Sequence, residues 1–413
     1  MRILADEAAL RRVRKLERRG SELSKVEPQV RTIVEDVRGN GDRALRKYAQ
    51  KWDGLGPEED VRVSAAELKA AWTFAAPQLR ASLRQAAANI RRFCERQKPR
   101  EWRRNGNGIS SGQIVRPLES VGCYVPGGRH PLVSTLLMTV IPAQVAGVKN
   151  IRVVCPQPQT EVLAAAQMLG VHEVFRIGGA QAIAALAFGT RQVAGVDKIV
   201  GPGNAYVTLA KKLVSFDCAI DFLAGPTEVV VLSDAGRAEF IAADLVAQAE
   251  HDPAAIAIFI TSSRQLARGV SAIVERIAEK NATARRSIAR NGAVLLAGSR
   301  KEAIAWANRI APEHITVAAK DLPYIQNAGS IFVGDYSAQA AGDYASGPNH
   351  VLPTAGVARF RGGLSALDFV KVITVQELSK SGLRRISKTV TYLADTEGLQ
   401  AHAQSVRVRC PNA

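Results

Sequence analysis

Between residues 119 and 333 the chain repeats one unit. A short apolar run meets a turn and a helical stretch follows; in the first half, to about 228, each turn carries Gly or Pro and the helical stretch is rich in Ala. Strands linked through helices lie parallel in one sheet, and both faces of such a sheet are buried under the helices. The first series has runs at 151–155, 174–177 and 198–200. They lead into Cys155-Pro156, Ile177-Gly178-Gly179 and Val200-Gly201-Pro202-Gly203. A second series has runs at 228–232, 255–260, 293–297, 315–318 and 331–333, separated by helical stretches at 238–250, 264–280 and 301–310. The pattern predicts an α/β protein with two Rossmann-like parallel-sheet lobes. Ligands should bind at the carboxyl ends of the strands, where the glycines fall.

The flanks read differently. Residues 1 to about 105 place apolar side chains at three- and four-residue intervals, as at 28–38 and 78–97, the period of amphipathic helices. Gly39-Asn-Gly41-Asp-Arg-Ala44 matches a loose dinucleotide-binding pattern. It follows a helical segment rather than a strand, so a helix-to-helix turn is expected. From about 364 the chain reads as a helical tail. The expected division is an N-terminal helical arm (1–23), a first α/β lobe (24–122 with 229–364), a second α/β lobe (123–228) and a C-terminal helical tail (365–413).

Lys and Arg number 55 against 38 Asp and Glu, a net charge of +17 that would attract polyanions. The basic residues are spread, however, clustering only at 11–15 and 98–104 without recurring aromatics, so no nucleic acid partner is expected. Five cysteines, an odd number with no C-x-x-C spacing, argue against a secreted disulfide framework. With no run of about 18 apolar residues, no membrane-spanning helix is expected, and the cytoplasm is the expected location.

Six histidines can be weighed singly. His130 and His172 sit in ordinary turns or helix ends and receive no role. Gln248 and His251 lie three apart at a helix end stopped by Pro253, so both can reach one metal, although a helix-end histidine beside a carbonyl is commoner. Glu313-His314 opens a strand, and an adjacent acid and imidazole can divide proton transfers; a solvated loop pair is the plain alternative. Asp343 lies in a turn-rich loop where a carboxylate often caps local amides. His350 closes that segment, while Glu397 and His402 sit on C-terminal helix where a solvated face is the default. Taken together, two imidazoles, a carboxylate and an amide oxygen form a mixed N/O set that suits zinc.

These segments resemble histidinol dehydrogenases over nearly the whole chain. The resemblance is carried by Gly41-Asp-Arg-Ala-Leu, Tyr124-Val-Pro-Gly-Gly, Gly178-Gly-Ala-Gln181-Ala-Ile-Ala-Ala-Leu-Ala and Val196-Asp-Lys-Ile-Val-Gly-Pro-Gly-Asn204-Ala. It continues through Ala224-Gly-Pro-Thr-Glu, Gln248-Ala-Glu-His251, Ala311-Pro-Glu-His314, the 341–354 segment and Glu397-Gly-Leu-Gln-Ala-His402. It implies zinc on Gln248, His251, Asp343 and His402, and NAD against Tyr124, Gln181 and Asn204. It implies L-histidinol near Thr227, Gln248, His251, His314, Asp343, Glu397 and His402, with Ser134 and His350 close by, and Glu313 and His314 as catalytic bases. It further implies an intertwined homodimer whose tail helices complete the partner's site. Thr227 stands where the family commonly has Ser; the hydroxyl is kept.

The reaction so implied converts a primary alcohol to a carboxylate by two hydride transfers to two NAD molecules. His314 suits the hydroxyl proton of the first step and Glu313 the water of the second. A cysteine-based alternative would use Cys123, but its aliphatic neighbours predict an inert buried thiol. Another reading keeps the same zinc/NAD machinery for a different small primary alcohol, such as a sulfopropanediol. Glu397 favours a substrate with an ammonium group over a sulfonate.

Overall fold

The computed structural model describes residues 1–20, 23–127 and 131–411. Gly128, which ends the expected cofactor loop, and His130 lie outside them. Along the chain run β1 (Ile3–Ala5), α1 (Asp6–Glu17), α2 (Glu27–Trp52), α3 (Ala65–Phe74) and α4 (Pro77–Gln97), then β2 (Trp102–Gly106) and β3 (Ile109–Pro117). The first α/β series comprises β4 (Ser120–Tyr124), α5 (Val133–Ala146), β5 (Asn150–Val154), α6 (Thr160–Met168), β6 (Glu173–Phe175), α7 (Gly179–Phe188), β7 (Lys198–Val200), α8 (Ala205–Val214) and β8 (Ala219–Ile220). The second comprises β9 (Glu228–Leu232), α9 (Ala238–Ala249), β10 (Ile256–Thr261), α10 (Arg264–Ala278), α11 (Ala282–Asn291), β11 (Ala293–Leu296), α12 (Arg300–Ile310), β12 (His314–Val317), β13 (Ser330–Val333) and α13 (Gln339–Tyr344). The chain closes with β14 (Val370–Leu378), α14 (Lys380–Thr396) and α15 (Gln400–Arg407).

Two all-parallel sheets organise these elements. The five-stranded sheet has the order β6-β5-β4-β7-β8, and the six-stranded sheet β1-β11-β10-β9-β12-β13. The strand runs read from the sequence therefore form parallel sheets, with each end within a residue or two of its expected place. In the smaller sheet the chain moves one way from β4 and the other way at β7, so a crevice opens beyond their carboxyl ends. In the larger sheet the corresponding reversal lies between β9 and β12.

The flanks require three corrections. Residues 1–23 are not purely helical: β1 pairs in parallel with β11 as an edge strand of the larger sheet. That strand is three residues long, too short for its alternation to stand out. The tail is not purely helical either, because β14 pairs antiparallel with β3 along nine residues in a three-stranded sheet with β2. Val372 and Ile373 point to opposite faces and are both exposed, which masks strand alternation. Finally, residues 24–97 pack mainly on the five-stranded sheet and meet 229–364 at α4, where Asn89 Nδ2 donates to the Ala345 carbonyl at 2.9 Å. Val30, Ile33, Val37 and Leu45 of α2 share a core with Ile177, Ile183 and Leu209, and Leu83 and Ile90 of α4 share one with Val121 and Ile141. Helices α2 to α4 thus cover the five-stranded sheet. Within α2, Gly41 has φ 51° and breaks the helix at the Gly39–Ala44 motif, so that motif is a kink between two helical runs.

Candidate active site

Two neighbouring cavities lie where the sheets meet. The first, of about 480 Å³, sits beyond the carboxyl ends of β4 and β7 and is closed by the end of α2. Tyr124, Gln181 and Asn204 all line it, beside Trp52 and Asp53. The second, of about 290 Å³, shares Pro126 and Asn204 with the first. Its walls bring together Ser134, Thr227, Gln248, His251, Glu313, His314, Asp343 and His350. Residues far apart in the chain are thus gathered in one cleft. Glu397 and His402 are not among them. Glu397 caps α14, His402 lies on α15, and both are exposed.

The first cavity is built on tight turns. Gly201 has φ 115°, and a Cβ there would collide with the Tyr124 carbonyl oxygen, so only glycine lets the β4 and β7 ends approach. The buried Lys211 ammonium donates to the Gly201 carbonyl at 3.0 Å and pairs with Asp221, whose Oδ2 accepts the Gly201 amide at 2.8 Å. This pair pins the 201–204 turn from beneath. The Gly179 amide donates to the Tyr124 hydroxyl at 3.1 Å. Asn204 caps α8, its Oδ1 accepting the Tyr206 and Val207 amides at 3.0 and 3.2 Å.

In the second cavity the key groups sit at the amino ends of β9 and β12, which are paired in register His314↔Val229. Thr227 Oγ1 and the Glu228 amide both donate to Glu313 Oε2, at 2.6 and 2.8 Å. Gln248, on the last turn of α9, donates through Nε2 to Thr227 Oγ1. His314 Nδ1 lies 3.2 Å from the Glu228 carbonyl oxygen and 3.5 Å from Glu313 Oε2, while its Nε2 lies 3.6 Å from Asp343 Oδ1. Burial disfavours the imidazolium, but Glu313 and Asp343 outweigh it and push His314 up to about 10. Asp343 sits on a short helix, α13, rather than in the expected turn. His350 Nδ1 lies 2.8 Å from the Asp343 carbonyl oxygen, and burial holds this imidazole below its usual range.

Behind the dyad, Arg19 forms a two-pronged pair with the buried Glu228 and donates to the Ile310 carbonyl at 2.8 Å. The arm thereby braces the strand ends that carry Thr227 and Glu313. Sequence reasoning missed Arg19, Asp53, Lys211 and Asp221, none of which belongs to a recognisable spacing.

Among the described residues no three His, Cys, Asp or Glu side chains of one chain stand together as a metal site. Gln248, His251 and Asp343 do face one cleft, and Gln248 Oε1 accepts no hydrogen bond among the described residues. These three donors fit zinc in kind but leave a tetrahedral set one short.

The sequence profile of histidinol dehydrogenase matches residues 16–410. This chain belongs to the histidinol dehydrogenase family. The histidinol dehydrogenase of Methanothermobacter thermautotrophicus is 46% identical over 396 residues, 92% of each chain. That of Geobacter metallireducens is 47% identical over 407 residues, 95% of this chain and 93% of the relative. The crystal structure of histidinol dehydrogenase from Elizabethkingia anophelis superposes with a TM-score of 0.94 at 35% identity, covering 100% of this chain and 98% of that one. Family membership makes this chain a dehydrogenase and accounts for the motif order. No helix among the described residues is long and apolar enough to cross a membrane.

Proposed function

We propose that the protein oxidises L-histidinol through L-histidinaldehyde to L-histidine, reducing two NAD in sequence, as a zinc-bearing cytoplasmic homodimer. The observation carrying this reading is the meeting of Gln248, His251, Asp343, Glu313 and His314 in one cleft that adjoins the cavity of Tyr124, Gln181 and Asn204. The two parallel-sheet units would act as Rossmann-like lobes, with 123–228 carrying NAD and the larger sheet carrying the catalytic pair. Gln248, His251 and Asp343 of one chain, with His402 of a second copy, would hold the zinc. Bound there, the metal supplies a fixed electrophile that grips the imidazole and amine of the amino alcohol. Glu397 of that second copy would receive the ammonium group. The exposure of both tail residues, and the missing fourth ligand, support a shared site.

Within the cleft, His314 takes the hydroxyl proton as hydride leaves the carbinol carbon for the nicotinamide, giving aldehyde, NADH and a proton. One water then adds to the aldehyde, oriented by Glu313, and the hydrate gives up a second hydride to a second NAD. The sum is one alcohol, two NAD and one water to one carboxylate, two NADH and three protons. Ser134 and Thr227 line the same wall and can fix the substrate's orientation.

The test is NADH formation by zinc-loaded protein with L-histidinol. Two NADH per histidine, abolished by a chelator and restored by zinc, is the expected result. Folded, zinc-loaded protein with no turnover of histidinol would overturn it in favour of another small primary alcohol.

A further inference from the structure

Asp53 ends α2, is 7% exposed, and lines the 480 Å³ cavity next to Gln181. Its Oδ2 takes two hydrogen bonds, from the Gly178 amide and from Gln181 Nε2, each at 3.0 Å. Its Oδ1 accepts none among the described residues, and no cation pairs with the group there. A carboxylate this buried usually has a counter-ion or a full set of donors. Here one oxygen is left over, facing a cavity. On the same rim Trp52 is 41% exposed and stacks flat against Tyr48, with 5.0 Å between ring centroids, and the Lys51 ammonium lies 5.0 Å from the Trp52 ring centroid. An aromatic face beside an under-used carboxylate is a surface for adenosine: the ring for the base, the oxygen for sugar hydroxyls.

We infer that Asp53 determines the choice of NAD over NADP, its free Oδ1 accepting the adenosine ribose hydroxyls and repelling a phosphate in their place. This inference rests on the reading that this cavity holds the cofactor. The repulsion follows from burial, since a dianionic phosphate brought to a carboxylate that no described cation pairs is screened poorly. The same side chain orients Gln181 through Oδ2, so it is also a positioning residue, and its two duties separate experimentally.

Binding of NAD and NADP is measured by calorimetric titration without alcohol, on wild type, Asp53→Asn, Asp53→Ser and Gln181→Ala. Wild type should bind NAD more tightly, and either Asp53 variant should narrow the NADP-to-NAD ratio of dissociation constants by roughly 10- to 100-fold. Equal weakening of both cofactors, with the ratio unmoved, would mean a structural role only and overturn the inference. Wild type that binds NADP as tightly as NAD overturns it with no variant needed. If Gln181→Ala weakens NAD while the Asp53 ratio stays put, the cavity is the cofactor's and only Asp53's role fails. If Gln181→Ala changes neither constant, the cofactor reading of the cavity fails and takes this inference with it.

Discussion

Thr227 Oγ1 donates to Glu313 Oε2 across 2.6 Å, and Gln248 Nε2 donates in turn to that hydroxyl. The hydroxyl therefore ties a proposed metal ligand, Gln248, to the proposed water-orienting base, Glu313. Thr227→Val keeps the shape but removes both links and leaves Glu313, only 7% exposed, with one donor fewer. A hydrogen bond to a buried charge contributes about 1.5–3 kcal/mol, so kcat/KM should fall roughly 10- to 100-fold. Thr227→Ser keeps the hydroxyl and should stay within a few-fold of wild type. Steady-state kinetics with L-histidinol on both variants decide the point, and equal losses in Val and Ser would show that the methyl, not the hydroxyl, matters.

The tail residues give a test of the shared site. His402→Ala and His251→Ala chains should each be nearly inactive alone. Unfolded together and refolded, they should recover about a quarter of wild-type activity, because half the dimers are hybrids with one intact site each. Zinc content should recover in the same proportion. Recovery of neither would show that His251 and His402 do not meet across the dimer, and a His402→Ala chain that keeps its zinc alone would place His402 outside the metal set.

The parallel sheets were legible because their central strands are apolar and buried, as β9 (Glu228–Leu232) is, and because several run straight into Gly or Pro, as β7 (Lys198–Val200) does at Gly201. Strands half exposed to solvent were not: β14 reads Val-Lys-Val-Ile-Thr-Val-Gln-Glu-Leu and looks like neither a helix nor a clean alternation. The cleft residues could be named from motif order, yet their meeting depends on pairing between β9 and β12, whose registered residues Val231 and Thr316 lie 85 positions apart in the chain. Asp53 and Arg19 were invisible for the same reason. Each is an isolated residue whose partners, Gln181 and Glu228, sit 128 and 209 positions away.

Cys123 is fully buried on β4, and burial pushes its thiol up to about 12, with the Thr139 hydroxyl only partly opposing. It is not among the residues lining either cavity. A thiol held protonated and away from substrate cannot form a thiohemiacetal at neutral pH. Cys123→Ala should keep turnover within a few-fold, at a stability cost of about 1 kcal/mol for the lost packing. A fall of several orders of magnitude in kcat, with the protein still folded, would return the thiol to the mechanism.

Asp244 offers a pH test that does not touch the cleft. It lies on α9 beside a recess shared with Arg237 and Asp335, and burial pushes its carboxyl up to about 6, only partly opposed by the Gln339 amide. An unfolded aspartate titrates near about 4. Between about pH 4 and pH 6 the folded state therefore holds a proton that the unfolded state has lost. Stability contributed by this group must fall as pH rises through that window and level off above it. Asp244→Asn keeps an acceptor for the Gln339 amide and removes the charge. Its melting temperature should exceed that of wild type near pH 7.5, and the gap should close as pH falls toward about 4. Calorimetric melting of both proteins across that range reads the effect directly; a gap that stays constant with pH, or one favouring wild type at pH 7.5, would show that the carboxylate is stabilised in place rather than strained by burial.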